Sequence, residues 1–566
     1  MRVGIYQINS KYIHSSLAAW YLSAAVESWS VGCECSVLEG SINESDDVLL
    51  NRAIASQARI FGFCTYIWNV DKVLATAKRL KERDHDIKII LGGPEVAYRQ
   101  EHVLQNYPFV DYVVSGEGEV PFSRLVSAIS CGKSEYIDGV SMREGDDFHI
   151  SAPHEMKTDP PSPYTDEYFK ALKSRISYIE TSRGCPFSCA YCLSCTQSLR
   201  FFDVARSKRD IMRLAKSGSK TVKFVDRTFN ASKKRAADIL SFILEKRLIG
   251  EIPEDVTFHF EIAGELVDGE LKQIVKSSPA GLFQFEIGVQ SFNERTLCAI
   301  NRRTDIEKLC EVIKELSSYS SSHIHTDLIA GLPYEDIESF KNSYNKLYGL
   351  GSHKIQLGFL KLLYGSDMRE KRELYPCEYE SDAPYKVKST DWLSSEDMLE
   401  LECVERANDG IFFSGRFNDT VKYLLSVSGF DPYTLAHTLG RELYGDGTPP
   451  LDTLFDRLYE SACKIDGVDA MRLRDIMLYD RISNNNSCVI PRSIKVFDAR
   501  LKRYDRYLKE KYPLKSGVRR SVGILYTEGK VIFADYENMH PVTELYAVRY
   551  ADISEIEREL CEDNKE

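Results

Sequence analysis

Three cysteines with a metal-ligand spacing stand in one short segment, residues 181–195. Cys185, Cys189 and Cys192 have the spacing C-x3-C-x2-C, directly after a run of strand-forming residues. Three thiolates on one loop can bind three irons of a cubane cluster, and the fourth iron is then open to an outside ligand. The spacing therefore predicts a [4Fe–4S] cluster with these cysteines as its metal ligands and with an open, catalytic iron.

Two other kinds of metal site also use clustered cysteines and are the alternatives to a cluster with an open iron. A structural zinc site usually pairs one C-x2-C knuckle with a second, distant pair, and no second pair is evident in the sequence. A ferredoxin-type cluster needs a fourth cysteine, and Cys195 extends the series to C-x3-C-x2-C-x2-C. We expect Cys195 to line the pocket or to be a bystander, and a catalytic thiol is the alternative role.

The elements that must position these cysteines follow from two strand–helix alternations, which predict an α/β chain. Short apolar runs alternate with amphipathic helices in residues 1–140, as in a doubly wound, Rossmann-like sheet. A breaker-rich connector follows in residues 141–174. Residues 175–365 contain six further repeats, which predict a partial (β/α)6 barrel with its chemistry at the C-terminal strand ends. Residues 366–566 are charged and mainly helix-prone, with a small β element, and are expected to cover the open side of the barrel.

The cysteine segment and its place after the first barrel strand resemble the radical S-adenosylmethionine (SAM) superfamily. The resemblance implies that SAM binds the open iron, and that one electron, from a reductant such as flavodoxin or ferredoxin, cleaves SAM to a 5′-deoxyadenosyl radical. Residues 288–291 (GVQS) and 327–333 (D-x-x-x-G-x-P) resemble later strand ends of that family. We prefer Arg302 to Arg303 for the SAM carboxylate, since arginine binds carboxylates bidentately. The SAM-binding residues that the resemblance implies are Tyr191, Asp226, Glu261, Glu286, Gln290, Arg302 and Asp327.

A doubly wound domain before such a barrel resembles the cobalamin-binding (B12-binding) radical SAM enzymes. Residues 92–95 and 116–119 are similar to glycine-rich loops of that family, and glycine lets the backbone approach a flat macrocycle closely. The motif D-x-H-x-x-G is absent, which implies cobalamin without a histidine lower ligand; the alternative is a sheet that binds nothing. The cobalamin-binding residues that the resemblance implies are Asn9, Tyr12, His14, Thr65, Tyr66, Trp68, Gly92, Gly93, Pro94, Glu95, Gly116, Glu117, Gly118 and Glu119.

Over nearly its whole length the sequence resembles the group of B12-binding radical SAM proteins with a DUF4080 C-terminal region. The resemblance implies the fold and three cofactors, a [4Fe–4S] cluster, SAM and cobalamin, but it implies no substrate. We expect a methyltransferase that acts on an unactivated carbon of a small-molecule, peptide or RNA-derived substrate. The alternatives are a rearrangement or cyclisation enzyme with cobalamin as redox helper, and a cofactor-binding redox sensor.

The amino-acid composition limits which binding partners and which cellular location we expect for this protein. The chain has 566 residues, a formal net charge of −12 and 15 cysteines. An acidic chain argues against a duplex-DNA binder, and no segment approaches the ~18 apolar residues of a membrane span. Because the N-terminus lacks an apolar signal core, we expect a cytoplasmic protein. Its cysteines are then thiols or metal ligands rather than disulfides.

Overall fold

A computed structural model of the 566-residue chain describes residues 1–444, 447–540, 542–543 and 545–562. The first part of the protein is an open sheet whose strands alternate with helices, as predicted. The strands are β1 (Arg2–Asn9), β2 (Glu34–Ser41), β3 (Ile60–Cys64), β4 (Lys88–Gly92), β5 (Tyr112–Val114), β6 (Val140–Glu144) and β7 (Asp147–His149). The helices are α1 (Ala18–Trp29), α2 (Asp46–Ala55), α3 (Val70–Arg83), α4 (Gln100–Asn106) and α5 (Glu119–Ser130).

The strand order in this sheet is β2-β1-β3-β4-β5-β6-β7, and β1 to β5 are parallel. Side chains of β1 alternate between two apolar layers, because Val3 and Ile5 pack with α1 and α5 while Tyr6 and Ile8 pack with α2, α3 and α4. The sheet is therefore covered by helices on both faces. Strand β1 lies between β2 and β3, so the winding of the chain reverses there, and open α/β sheets bind ligands at such a switch point.

A hairpin of β6 and β7 extends this sheet beyond β5 in antiparallel orientation. The hairpin falls largely within the predicted connector, residues 141–174. Its strands are too short to stand out in the sequence from the breaker residues around them. Helix α6 (Asp166–Leu172) lies in the second half of the connector and is capped by the Thr165 side chain.

A second sheet lies in residues 175–365, all of which the structure describes. Its six parallel strands follow one another in the order β15-β14-β13-β12-β11-β8, so the barrel is partial, as predicted. The strands of this region are β8 (Ser177–Ile179), β9 (Ser182–Arg183), β10 (Arg200–Phe201), β11 (Thr221–Phe224), β12 (Thr257–Ile262), β13 (Phe283–Gln290), β14 (Ser322–Ala330) and β15 (Lys354–Phe359). The helices are α7 (Val204–Ala215), α8 (Lys233–Leu248), α9 (Gly269–Ser277), α10 (Glu294–Ala299), α11 (Ile306–Ser317) and α12 (Ile337–Gly349).

The two faces of the barrel sheet differ in polarity. On β13, Phe283, Phe285 and Ile287 are buried in the core shared with the outer helices, because every second residue points to that face. The opposite face of the same strand carries Gln284 and Glu286. Buried parallel strands are ordinarily apolar on both faces, so a polar inner face indicates a lumen that holds polar groups.

The C-terminal region is mainly helical, and one hydrophobic core continues from the barrel into it. Its edge meets β15, where the Asn408 amide lies 3.5 Å from the Ile355 carbonyl oxygen. The helices are α13 (Asp367–Glu370), α14 (Ser395–Ala407), α15 (Asn418–Ser428), α16 (Pro432–Leu443), α17 (Leu451–Ala462), α18 (Ala470–Asn484), α19 (Leu501–Lys511) and α20 (Ile553–Glu562). The strands are β16 (Cys377–Tyr379), β17 (Val387–Thr390), β18 (Arg520–Leu525), β19 (Lys530–Met539) and β20 (Tyr546–Asp552). Among the described helices, none combines the length and apolar character needed to cross a membrane.

Candidate active site

The loop that carries the predicted cluster ligands is closed at its neck by the antiparallel pairing of β9 and β10. At this neck Gly184 has a φ of +80°, and a Cβ there would come within 2.5 Å of the Ser198 carbonyl oxygen. Only glycine fits such a position. Further along, the Ala190 N–H donates to the Ile300 carbonyl (3.0 Å), and the Ala190 carbonyl accepts from the Met368 N–H (2.9 Å). The cysteine loop is therefore held by backbone hydrogen bonds from two sides.

The three predicted ligands follow one another along this loop. The Cys185 Sγ lies 3.4 Å from the Thr228 Oγ1 beyond β11, and the Cys192 Sγ accepts from the Ser194 N–H at 3.4 Å. In the described parts of the chain, no three His, Cys, Asp or Glu side chains surround a position for a single metal ion. Each cysteine of a cubane cluster binds its own iron, so these thiols need not converge on one point.

Cys195, the fourth cysteine of the segment, is bonded to the loop itself. Its Sγ donates to the carbonyl oxygens of Cys192 (3.0 Å) and Cys189 (3.6 Å). Burial raises the pKa of this thiol, and the nearby Cys192 raises it further. A thiol that is engaged in this way favours a supporting role for Cys195 over the role of fourth cluster ligand.

Arg302 reaches the cysteine loop from the turn after α10. Its Nη1 lies 3.9 Å from the Cys189 Sγ, and its Nη2 donates to the Gly288 carbonyl oxygen. The Nε of Arg302 is buried and has no partner within the described residues. A buried donor is costly unless a ligand accepts from it, so this edge of the guanidinium suits a carboxylate. The role of Arg302 toward the SAM carboxylate stays a prediction. Arg303 is exposed instead.

Glu286 lies in the barrel lumen beside two basic side chains. One of its oxygens is 3.0 Å from the His259 Nε2 and accepts from the Lys223 Nζ at 3.4 Å. Burial opposes the ionisation of Glu286, but the hydrogen bond with His259 and the charge of Lys223 outweigh it and lower its pKa to about 2. Glu286 is therefore an ionised acceptor at neutral pH.

Three further predicted SAM contacts belong to the strands that line this lumen. The Glu261 carboxylate lies 3.9 Å from the Arg227 guanidinium, and burial raises the pKa of both Glu261 and Asp327. The Gln290 Oε1 and the Asp327 Oδ1 are buried and, as far as the chain is described, accept from no donor. Unpaired acceptors at the top of a lumen suit the ammonium and hydroxyl groups of SAM.

Asp226 and Tyr191 contact the cysteine loop and its entry. The Asp226 carboxylate accepts from the Thr181 N–H (2.9 Å), the Thr181 hydroxyl (2.7 Å) and the Ser182 hydroxyl. Asp226 thus anchors the residues that lead into the loop. Tyr191, one of the SAM-binding residues that the resemblance implies, is partly buried beside Cys189, and burial raises its pKa.

A cavity of about 650 Å³ lies between the carboxyl edge of the N-terminal sheet and the start of the barrel. One wall consists of the ends of β1, β3, β4 and β5, and the other consists of residues beyond β8 and in the cysteine loop. The cavity is therefore at the switch point of the sheet. The predicted cobalamin-binding residues that line it are Asn9, His14, Tyr66, Trp68, Gly92, Gly93, Pro94, Gly116, Glu117, Gly118 and Glu119.

The sheet side of the cavity combines close backbone with flat rings. Gly93 has a φ of +111°, and a Cβ there would lie 2.4 Å from the Thr65 carbonyl oxygen. The rings of Tyr66 and Trp68 stack with centroids 4.4 Å apart and an interplanar angle of 6°. His14 hydrogen-bonds with the Tyr178 hydroxyl (2.6 Å) and so ties the sheet to the barrel. A glycine cradle with aromatic walls fits a flat macrocycle.

Three predicted cobalamin contacts lie outside this cavity lining. Tyr12 is exposed, with the Arg175 guanidinium 5.7 Å from its ring. Thr65 is fully buried behind Gly93, and Glu95 is buried against the C-terminal region. Nearness to a strand end in sequence does not specify the direction of a side chain, and here neighbouring residues point to opposite sides.

A buried charge network was not predicted from the sequence. Arg183 donates to Glu117, to Glu119 (2.6 Å) and to Glu180 (3.0 Å), and Arg200 also pairs with Glu117 (2.7 Å). The network joins the Gly-Glu-Gly-Glu turn of the N-terminal sheet to the neck of the cysteine loop. The only sequence signal was charge complementarity, because an arginine directly before Gly184 faces an acidic turn.

Family comparisons divide the chain in the same way as the structure. Residues 4–126 match the B12 binding domain, residues 179–347 match the radical SAM superfamily, and residues 373–530 match a protein of unknown function (DUF4080). The chain is a B12-binding radical SAM protein with a DUF4080 region. These domains imply a [4Fe–4S] cluster, SAM and cobalamin. The unpaired buried atoms of the lumen and the glycine cradle of the cavity fit these groups.

Several known proteins share 15–27% sequence identity with this B12-binding radical SAM protein. The 2-(S-pantetheinyl)-carbapenam-3-carboxylate methyltransferase of Streptantibioticus cattleyicolor is 27% identical over 52% of this chain, and the match covers 45% of that relative. The radical SAM methyltransferase TsrM from Kitasatospora setae has the same fold with a TM-score of 0.55 and 17% identity, over 65% of this chain and 73% of TsrM. The cobalamin-dependent SAM radical enzyme OxsB matches with a TM-score of 0.57 and 15% identity, over 85% of this chain and 78% of OxsB.

Proposed function

We propose that this cobalamin-dependent radical SAM enzyme is a methyltransferase that acts on an unactivated carbon of a small-molecule, peptide or RNA-derived substrate. One observation carries the proposal. The cavity lined by the glycine loops of the B12-binding domain is also lined by Gly184, Leu193 and Ser194 of the cysteine loop. A methyl donor and a radical source would therefore face one shared space. The similarity to the methyltransferase of S. cattleyicolor supports the same reaction class.

The bound groups supply a 5′-deoxyadenosyl radical for hydrogen abstraction and a methyl group for the substrate carbon. The chain's own residues bind and orient them. The Arg302 Nε offers a donor to the SAM carboxylate, and the Gln290 and Asp327 oxygens offer acceptors. Glu286 and His259, deeper in the lumen, can hold polar groups of a substrate.

The test uses full-length reconstituted protein with aquacobalamin, reduced flavodoxin and SAM that carries a deuterated methyl group, incubated with pools of candidate substrates. We expect a deuterated methyl group in a product, together with 5′-deoxyadenosine and S-adenosylhomocysteine. The Cys189→Ser variant is the matched control and should form none of these products. Deoxyadenosine without S-adenosylhomocysteine or labelled product would contradict methyl transfer.

A rearrangement or cyclisation is a second candidate, and the lumen favours it on one point. Asp327 and Glu261, whose pKa values are raised by burial, are groups able to transfer protons. Methyl transfer to a carbon radical does not itself require a proton from these groups. The same assay separates the two candidates, because a rearranged product contains no deuterium from SAM.

A further inference from the structure

The Gly-Gly-Pro-Glu loop after β4 has two sides with different neighbours. Gly92, Gly93 and Pro94 line the cavity between the two sheets. Glu95, the next residue, is only 4% exposed and is buried against the C-terminal region. The backbone of the loop is hydrogen-bonded to Thr65 at the end of β3, because the Thr65 N–H donates to the Gly92 carbonyl (2.7 Å). The position of Glu95 therefore affects the position of Gly92, Gly93 and Pro94, the residues of the loop that line the cavity.

Two side chains bind the Glu95 carboxylate. The Tyr385 hydroxyl donates to the Glu95 Oε1, and the same oxygen accepts from the Arg99 guanidinium. Arg99 belongs to the same domain as Glu95, whereas Tyr385 comes from the DUF4080 region, 290 residues later in the chain. The C-terminal region thus supplies a hydrogen-bond donor to Glu95 of the Gly-Gly-Pro-Glu loop.

We call residues 362–385 the junction segment. Tyr385 is the last residue of this segment and is held by contacts within it. Its ring is 2% exposed, and its carbonyl accepts from the Leu362 N–H at 3.0 Å. Tyr385 has a φ of +59°, a left-handed conformation that is unfavourable for a bulky residue and that persists where the surroundings impose it. The Tyr364 ring lies beside it, with the guanidinium groups of Arg99 and Arg369 at 4.6 and 3.5 Å from its centroid.

The junction segment also contacts the cysteine loop. The Met368 N–H donates to the Ala190 carbonyl in the middle of that loop. A Cβ at Gly365 would come within 2.4 Å of the Tyr98 ring, and the Tyr98 hydroxyl lies 3.0 Å from the Thr196 Oγ1 just after Cys195. The junction segment therefore contacts both the Gly-Gly-Pro-Glu loop and the cysteine loop.

We propose that Tyr385 is a positioning residue for cobalamin, and that its hydroxyl, through Glu95, holds the Gly-Gly-Pro loop in the shape that receives the corrin ring. The C-terminal region then completes the cobalamin site as well as covering the barrel. The proposal depends on cobalamin binding alone and is independent of whether the enzyme transfers a methyl group.

The first experiment titrates full-length protein with aquacobalamin and follows the visible spectrum of the bound corrin. Tyr385→Phe should raise the dissociation constant about tenfold, because a hydrogen bond to a charged group is lost. Tyr364→Phe is the matched control, since its hydroxyl makes no hydrogen bond to any described residue, and it should bind as the wild type does. Wild-type affinity in Tyr385→Phe would overturn the proposal.

A double-mutant cycle separates positioning from general destabilisation. If Tyr385 acts through Glu95, then Glu95→Ala should weaken cobalamin binding, and adding Tyr385→Phe to it should weaken binding no further. The iron content of the reconstituted cluster and the far-ultraviolet circular dichroism should be the same in all four proteins. Additive losses of affinity, or a parallel loss of iron, would contradict the positioning role.

Discussion

At the residue scale, the site contains buried polar atoms whose hydrogen-bonding capacity is unused. Buried polar groups are nearly always paired in folded proteins. The Arg302 Nε, the Gln290 Oε1 and the Asp327 Oδ1 are exceptions within the described chain, and all three belong to the barrel beside the cysteine loop. Each unpaired atom is a position where a ligand can improve the energy of the protein.

Arg302 gives the most direct test of SAM binding. Replacement of Arg302 by methionine should raise the SAM dissociation constant by roughly tenfold or more, since a charge-assisted hydrogen bond contributes about 1.5–3 kcal/mol. Isothermal titration of SAM into the reconstituted protein measures this change. The exposed neighbour gives the control, because Arg303→Met should leave the affinity unchanged. Equal effects of the two substitutions would count against the assignment.

Cys195 tests which thiols bind the cluster. Because its Sγ donates to two carbonyl groups of the loop, Cys195→Ser should keep that contact and retain about four irons and four sulfides per reconstituted chain. Cys189→Ser should lose the cluster. The measurement is iron and sulfide content with the visible absorption of the cluster. Loss of the cluster in Cys195→Ser would indicate that Cys195 is a cluster ligand.

At the element scale, the turns after β13 and β14 are joined by one buried carboxyl group. The Glu335 Oε1 accepts from the hydroxyl groups of Ser291 (2.6 Å) and Ser343 (3.3 Å). Ser291 directly follows Gln290 at the end of β13, and Glu335 lies in the turn beyond Ala330, where β14, the strand that carries Asp327, ends. Glu335 therefore ties together two strand ends that carry predicted SAM contacts.

This carboxyl group makes stability depend on pH. Burial raises the pKa of Glu335 from 4.5 to about 7, so its stabilising contribution is complete below pH 4.5 and is lost as the pH rises through about 7. Glu335→Gln should remove that loss, which is on the order of 3 kcal/mol. The measurement is urea unfolding from pH 5 to pH 8. Burial raises the pKa of Asp480 to about 7 as well, so the wild-type-minus-variant difference is the relevant quantity. A constant difference across this range would refute the role.

The sequence predicts elements and backbone features here better than side-chain directions. The parallel strands of both sheets were predicted because periodicity acts on the backbone, and the cavity glycines, such as Gly92 and Gly93, were predicted because their loops resemble those of the family. Thr65, Glu95 and Asp226 are at strand ends as expected, but Thr65 and Glu95 point away from the cavity, and Asp226 binds the entry of the cysteine loop. Their directions depend on distant partners, such as Tyr385 for Glu95, which local patterns do not contain.

At the scale of the whole molecule, the domains are joined by buried contacts rather than by flexible linkers. The Arg183 network joins the N-terminal sheet to the barrel, the junction segment joins the C-terminal region to both, and one hydrophobic core spans the barrel and the C-terminal helices. The cavity is lined by parts of different domains. Its shape therefore depends on how these domains dock.

Arg183 tests this docking. Arg183→Met should leave Glu117, Glu119 and Glu180 buried without their shared cation and lower the free energy of unfolding by about 3–5 kcal/mol. Urea denaturation measures the loss. Arg2→Met is the control, because Arg2 and Glu34 form a pair with side chains 51% and 77% exposed, and such pairs contribute at most about 1 kcal/mol. Similar losses in both variants would contradict a docking role for the network.

The backbone bonds that hold Ala190 have a consequence for how this enzyme can diverge. At Ala190 the loop is held through the peptide N–H and carbonyl, to Ile300 and Met368, and not through the Ala190 side chain. Substitutions at Pro186, Phe187 or Ser188 can therefore accumulate without releasing the loop. These positions can change without breaking the two backbone bonds, whereas the cluster site still needs the three thiols and Gly184 at the neck of the loop.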